Sequence, residues 1–261
     1  MATDGKDEVP RTIVAKSGKV VPNVAELVQD LRKLMGPHTA ASLKEKNYNK
    51  MKDYIAVAGQ LGITHLMVLS QTKSNSNGSG DAATVPHSNI VMKVGKYPSG
   101  PTLHFHITRY TLSRQVHASQ KHPFESASTY LTPPLVVLNN FGNSGPTGLD
   151  GGNSVDPSQM QHVQMVRVTL QHLFPSINVA TIQLSQCRRV VLCDYNKETG
   201  EVDIRHYAIR AQPTGVNRNV KKLITQSSKV IPNLGGLGVS ALSACAVYVY
   251  CSCCDGTRVL Y

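Results

Sequence analysis

Hydrophobic and polar residues alternate strictly between Thr102 and Thr108. Leu103, Phe105 and Ile107 are apolar, and the residues between them are threonine or histidine. Because successive side chains of a β-strand point to opposite faces of the sheet, this alternation predicts a strand with one face in the core and one polar face. We expect this strand to be central to the fold.

Apolar residues recur at helical spacing in residues 24–34, which predicts an amphipathic helix. Asn23 and Glu26 have the spacing of a capping box, so we expect Asn23 to be the N-cap of this helix. Gly36 and the proline after it end the pattern. On this helix, Arg32 is expected to lie on the face exposed to solvent.

The same criteria predict the rest of the secondary structure. Helices are predicted at residues 54–61 and 157–173, the second with Asp156 as its N-cap, and strands at 65–70, 89–94, 135–139, 178–185, 188–194 and 201–210. Each half of the chain contains a helix, a strand and then two strands joined by a loop, and residues 103–107 stand where residues 202–207 stand later. We predict an α/β (α+β) fold of two similar halves, with mostly antiparallel sheets packed by helices.

Lysine and arginine outnumber aspartate and glutamate by 27 to 16, which gives a formal net charge of +11. Such an excess repels itself unless a polyanion neutralises it, so nucleic acid is the first partner to consider. An acidic membrane surface is the competing explanation, but the cations are spread over many elements instead of lining one amphipathic helix. We therefore predict a nucleic-acid partner and no membrane partner.

Three groups of cations are candidates for phosphate contacts. The first flanks the central predicted strand and the loop before it, and consists of Lys93, Lys96, Arg109 and Arg114. The second surrounds the later strand and a predicted basic helix at residues 215–228, and consists of Arg205, Arg210, Arg218, Lys221 and Lys222. The third precedes a predicted helix, where the helix dipole disfavours positive charge, and consists of Lys44, Lys46, Lys50 and Lys52. Solubility is the alternative explanation for the third group.

The sequence has no motif that supports enzyme chemistry. It contains no HExxH, no GxSxG and no GxGxxG after a strand. Gly95 and Gly100 have the spacing of a phosphate-binding loop, but Pro101 stands where that loop needs its lysine. Cys187 and Cys193 lack metal-ligand spacing and are predicted to be buried, reduced thiols. We predict a protein that is not an enzyme and uses no cofactor, metal or small-molecule substrate.

Two short motifs carry a family resemblance. The run GPTLHF at residues 100–105, followed by YTLSR at 110–114, resembles the signature strand of the Brix domain, a family of ribosome-assembly factors. Further segments resemble the Peter Pan branch of that family, namely AVAG at 56–59, LGITH at 61–65, LFPSINV at 173–179 and RHY at 205–207. The resemblance runs over residues 10–238.

The resemblance implies a fold of two pseudo-symmetric halves, each resembling an anticodon-binding domain, at about residues 10–132 and 133–238 after a flexible N-terminus at 1–9. It also implies a non-catalytic, RNA-binding factor of large ribosomal subunit assembly and pre-rRNA processing. Such a factor acts in the nucleolus of the nucleus, with pre-rRNA, ribosomal proteins and other assembly factors as partners. A protein-protein adaptor without direct RNA binding and a tRNA-handling component are the alternatives.

The segment at residues 239–261 departs from the family pattern. It reads as alternating valine, tyrosine and cysteine, and it holds four of the six cysteines without a zinc-binding pattern. Val239-Ser240 can be encoded by GTGAGT, which fits a splice donor, so our hypothesis is that a translated intron replaces the closing part of the domain. We expect this tail to be poorly packed.

Overall fold

The secondary structure combines strands and helices along the whole described chain. The computed structural model describes residues 9–46, 49, 51–72, 89–121, 127–141, 157–177, 187–209, 242–243 and 249–253. The strands are β1 (Thr12–Ser17), β2 (His65–Thr72), β3 (Asn89–Lys96), β4 (Thr102–Tyr110), β5 (Leu135–Asn139), β6 (Arg189–Tyr195), β7 (Glu201–Ile209), β8 (Leu242–Ser243) and β9 (Val249–Cys253). The helices are α1 (Pro22–Met35), α2 (Met51–Leu61), α3 (Ser113–Ser119) and α4 (Pro157–His172), with a 3-10 turn at Ala127–Leu131.

The nine strands of the described residues belong to one sheet with the order β1-β2-β3-β4-β9-β7-β6-β5, and β8 pairs with β7. In the first half, β1 is parallel to β2, and β3 and β4 follow antiparallel. In the second half, β5 is parallel to β6, and β7 and β9 follow antiparallel. The halves join where β4 pairs with β9, so the sheet repeats one topology on both sides of this junction.

This topology corrects the predicted correspondence between the halves. Residues 202–207 lie in β7, which occupies the place of β3. The counterpart of β4 is β9, whose residues pair with β4 on one side and β7 on the other. The sequence pattern matched β7 with β4 instead of β3, because the pairing of strands that lie far apart in the chain leaves no local signal.

The tail that is expected to be poorly packed contributes, at residues 249–253, a strand that is paired on both sides. Without β9, the inner edges of β4 and β7 would each present a row of unpaired backbone N–H and C=O groups. The register joins Ile107 to Cys251 and Cys251 to Val202, so one short strand satisfies both edges. The intron hypothesis stays a prediction, because backbone pairing does not report the origin of a sequence.

Helices cover the two faces of the sheet unequally. Helices α1 and α4 pack on one face, where residues such as Leu27, Leu69, Phe105 and Val191 form the main core. Helix α2 packs on the other face over β1 and β2, through a smaller cluster that includes Tyr54. On that second face, β3 and β4 present half-buried polar side chains.

The central strand follows its sequence pattern. Leu103, Phe105 and Ile107 are buried, and His104 and His106 on the opposite face are half-buried. The predicted bounds of β5 are also confirmed, and α4 begins at Pro157 as predicted. The predicted strand at 178–185 and the basic helix at 215–228 lie outside the described residues.

The start of α1 differs from the prediction. Val21 is the N-cap and Pro22 begins the helix, so the capping box at Asn23 is wrong. Proline suits the first helical turn, because its missing N–H would have no helical partner there. The Val21 side chain makes no capping hydrogen bond, but the Val21 N–H donates to Gln71 Oε1 at 2.8 Å, which ties α1 to β2.

Candidate nucleic-acid interface

A cavity of about 650 Å³ lies where β3 and β4 are joined by a tight loop. The antiparallel register places Lys93 opposite His104 on the open face of the sheet, close to the Gly95–Thr102 pair. Lys93 is half-buried, and Lys96 is exposed at the end of β3. Both lysines line the cavity together with His104, the loop, and apolar side chains of α2 that include Met51 and Ile55.

Gly100 allows the loop to close against Lys96. A Cβ atom at residue 100 would lie 2.6 Å from Lys96 Cβ and 3.1 Å from its carbonyl oxygen. Contacts as short as the first do not occur between real side chains, so any larger residue would displace Lys96 or the loop. The glycine thus positions a cation at the mouth of the cavity.

The other two cations of the first group lie elsewhere. Arg109 is exposed near the far end of β4, and seven residues of strand separate it from the loop by about 23 Å. Arg114 lies on α3, where its guanidinium is 3.4 Å from Glu26 Oε2 and 3.4 Å from Asn23 Oδ1. Arg114 therefore links α3 to α1 at the surface, and of this group Lys93 and Lys96 share the cavity.

Within the second group, the structure describes only Arg205. Its Nε donates to Asp203 Oδ2 at 2.6 Å, and this hydrogen bond raises the pKa of Arg205 above its usual range. The carboxylate offsets the positive charge of Arg205 locally. The remaining members of this group lie outside the described residues, namely Arg210, Arg218, Lys221 and Lys222.

In the third group, Lys44, Lys46 and Lys52 are exposed, and Lys50 lies outside the described residues. Glu45, the acidic residue among them, does not offset these lysines, because it pairs with Arg32. Burial raises the pKa of Glu45, and Arg32 opposes this change.

The prediction that Arg32 faces solvent is wrong. It is buried, and besides pairing with Glu45 it donates from Nε to the Val14 carbonyl at 2.9 Å. A charged side chain is rarely buried unless it is paired in this way, so Arg32 ties α1 to β1 and to the segment before α2.

Arg189 is a buried cation that the sequence pattern did not single out. Its side chain is fully buried. The guanidinium donates to four main-chain carbonyls at 2.7 to 3.2 Å, those of Lys33, Leu34, Gly36 and Thr132. It also lies 5.1 Å from the ring centroid of Tyr130. A signal was present in the sequence, because Arg189 shares the core-facing parity of Val191 and Cys193 in β6.

Metal and membrane features are absent from the part of the chain that the structure describes. There, no group of three or more His, Cys, Asp or Glu residues could hold a metal ion. Cys187 and Cys193 are free thiols, and burial raises the pKa of Cys193 to about 12. No described helix is both long and apolar enough to cross a membrane.

Comparison with known families assigns the class of protein. The family model described as the Brix domain matches residues 17–243. Because this match covers most of the chain, the chain belongs to the Brix domain family, and the resemblance seen in the sequence motifs is confirmed.

Two individual relatives show which Brix-domain proteins the chain is similar to. The chain is 36% identical over 231 residues to the Peter Pan-like protein of Arabidopsis thaliana, an alignment that covers 88% of this chain and 58% of the relative. It is 34% identical over 234 residues to the ribosome biogenesis protein SSF1 of Saccharomyces cerevisiae, with 87% of this chain and 48% of the relative covered. The chain thus spans about half the length of the curated relatives it matches.

Among solved structures, the chain is similar to a probable ribosomal biogenesis protein from Aeropyrum pernix K1. The sequence identity is 11% and the TM-score is 0.47, with 95% of this chain and 98% of the other covered.

Proposed function

We propose that this chain is a non-catalytic, RNA-binding factor in the assembly of the large ribosomal subunit. It binds pre-rRNA in the nucleolus and works beside other assembly factors and ribosomal proteins during pre-rRNA processing. The relatives named for ribosome biogenesis support the process, and the net charge of +11 supports a polyanionic partner.

The observation that carries RNA binding is the cavity at the loop between β3 and β4. Two lysines and a histidine surround it on a rigid pair of strands, and its apolar lining can receive the flat face of an unpaired base. Phosphate contacts position RNA without reading its sequence, so a pair of lysines predicts salt-dependent binding of many sequences.

The test replaces Lys93 and Lys96 together with alanine and measures binding to pre-rRNA fragments by fluorescence anisotropy at several salt concentrations. Each phosphate contact that is lost should lower the slope of log affinity against log salt by about one. Arg114 is left intact, because removing it would also break the contact with Glu26.

The matched control replaces two exposed lysines away from the cavity, Lys19 and Lys197, and changes the net charge by the same amount. We expect the control to keep most of the affinity. If the Lys93 and Lys96 variant binds with unchanged affinity and slope, the RNA contacts lie elsewhere, and Lys44, Lys46, Lys50 and Lys52 become the next candidates. A parent protein with no salt-dependent RNA binding at all would favour the adaptor without direct RNA contacts.

A further inference from the structure

The pseudo-symmetric halves place His65 and Arg189 at equivalent positions. His65 is the first residue of β2, and Arg189 is the first residue of β6, the strands that run parallel to β1 and β5. By the alternation of side chains along a strand, each residue lies on the same face of the sheet as the core residues of its strand. Each also meets a helix of the opposite half, because Arg189 contacts the end of α1 and His65 lies near the end of α4.

Arg189 supplies hydrogen-bond donors to the end of a helix at this position. The last carbonyls of a helix have no partner within the helix, and the helix dipole makes this end partly negative. The guanidinium donates to the carbonyls of Lys33 and Leu34 in the last turn of α1 and to that of Gly36 just beyond it. The second half thus closes the end of α1 with its own cation.

The equivalent place at the end of α4 is a cavity of about 570 Å³. Its wall includes Gln171 and His172 at the end of α4, His65, and the segment after the helix. Pro175 belongs to this segment and has no N–H, so it cannot donate to the Gln171 carbonyl, four residues earlier. This volume is larger than one amino-acid side chain, so a side chain of another protein and the residues next to it could enter together.

His65 lies in this wall, and its imidazole holds a further acceptor that is not satisfied. The Thr64 hydroxyl donates to the Arg11 carbonyl at 3.2 Å, so we assign the proton between Thr64 Oγ1 and His65 Nδ1, which are 2.9 Å apart, to the imidazole. A neutral ring then has its lone pair on Nε2. This atom is buried without a hydrogen-bond partner among the described residues, and the whole residue is only 2% exposed.

Among the described residues, the charged or titratable groups that act on His65 are Lys96 from β3 and His172 from α4. Burial first, and then these two groups, lower the pKa of His65 to about 4, so the ring is neutral at physiological pH. A neutral ring and a helix C-terminus both offer acceptors, which suit a donor and disfavour an anion such as phosphate. Lys96 lies in the same wall and repels a second cation, but it is exposed, so solvent weakens this repulsion.

We propose that this cavity binds the side chain of an arginine presented by a protein partner, which closes the end of α4 as Arg189 closes the end of α1. The planar guanidinium supplies five N–H donors in a fixed geometry, enough for His65 Nε2 and the carbonyls at the helix end together. Lysine has a compact ammonium group and cannot span acceptors in the same way.

The test follows the imidazole signals of His65 by NMR in the full chain while small probes are added. The probes are N-acetylarginine amide, its lysine equivalent, the uncharged isostere N-acetylcitrulline amide, and inorganic phosphate. We expect saturable shifts with the arginine probe, at an affinity at least about tenfold above that for citrulline, because hydrogen bonds from a charged donor are the stronger ones.

Two variants make the test independent of any one substitution. His65→Arg should fill the cavity from within, raise the melting temperature and abolish the response of His172 to the arginine probe. His65→Gln retains a side-chain acceptor and should keep weaker binding, so it serves if His65→Arg fails to fold. Equal responses to arginine and citrulline, a response to phosphate in place of arginine, or no response to any probe would each overturn the proposal.

Discussion

The two halves of this sheet share a topology. They differ at the place where the end of a helix from the other half packs against the sheet. In the second half, Arg189 fills the junction and pairs with carbonyls around the end of α1. In the first half, the equivalent residue is His65, and a cavity remains at the end of α4. Repetition of a fold therefore does not repeat its chemistry: a side chain fills this place in the second half, and a cavity remains there in the first half.

The connections between corresponding strands differ in length between the two halves. The strands β3 and β4 are joined by the short loop at residues 97–101, whereas β7 and its counterpart β9 are separated by residues 210–248. The short loop holds Lys96 between the cavity at the β3–β4 loop and the cavity beside His65, since this lysine lines both. The first half thus contributes Lys96 to both cavities, and the second half contributes β5 and the end of α4 to the cavity beside His65.

The largest effect is expected from breaking the junction between the halves. Cys251→Pro in β9 removes a backbone N–H from a strand that is paired on both sides, and proline does not fit an interior strand. We expect the free energy of unfolding to fall by more than about 4 kcal/mol, measured by urea denaturation. Cys251→Ser keeps the N–H and is the control. If both variants are as stable as the parent, β9 does not join the halves.

The second-largest effect is expected from replacing Arg189, and replacing its neighbour Arg188 should have almost none. Arg189→Met keeps an unbranched side chain but leaves buried carbonyls without donors, so we expect a loss of about 3 to 4 kcal/mol. Arg188→Met is the control, because Arg188 is exposed and contacts the Ser128 hydroxyl at the surface. Its loss should stay within about 0.5 kcal/mol. Equal losses in the two variants would mean that the carbonyl contacts of Arg189 contribute little.

Local patterns predicted much of this fold, and the reason is visible in particular residues. The alternation around Phe105 and the proline at the start of α4 act within a few residues, so the sequence alone was sufficient for them. The partners of β9 and the buried roles of Arg189 and Arg32 depend on residues far away in the chain, which no local period records. Of the candidate RNA-binding residues that the structure describes, Lys93 and Lys96 share a cavity, and strand length separates Arg109 from them.

A smaller effect should appear in the dependence of stability on pH. The pKa of His65 falls from 6.5 to about 4 on folding because of burial, Lys96 and His172. The unfolded chain therefore binds the proton first as the pH falls, so the stability contributed above pH 6.5 is lost progressively toward pH 4. Between about pH 7 and about pH 4.5 this loss should be about 2 to 3 kcal/mol.

His65→Gln isolates this contribution, because glutamine does not titrate. The parent and the variant should differ in the slope of unfolding free energy against pH between 6.5 and about 4, measured by denaturant titration at each pH. Superimposable slopes would show that His65 titrates normally in the folded protein. Arg189 does not titrate in this range, so it should contribute no matching step in the second half.

The smallest effect distinguishes two glycines, one from each half. Gly100→Ala places a Cβ 2.6 Å from Lys96 Cβ, so it should displace this cation and weaken RNA binding roughly twofold to fivefold. Gly200, in the turn between β6 and β7, has φ of 68°, and no described atom lies within 4 Å of the place a Cβ would take there. Gly200→Ala should therefore cost about 1 kcal/mol of stability through backbone conformation alone.

Anisotropy and denaturation measured on both glycine variants should show the affinity loss only for Gly100→Ala. Gly200→Ala is the matched control, since it adds the same methyl group to a turn far from the cavity in the chain. Equal affinities would mean that the position of Lys96 does not matter for RNA, because a displaced contact with phosphate must appear in the binding free energy.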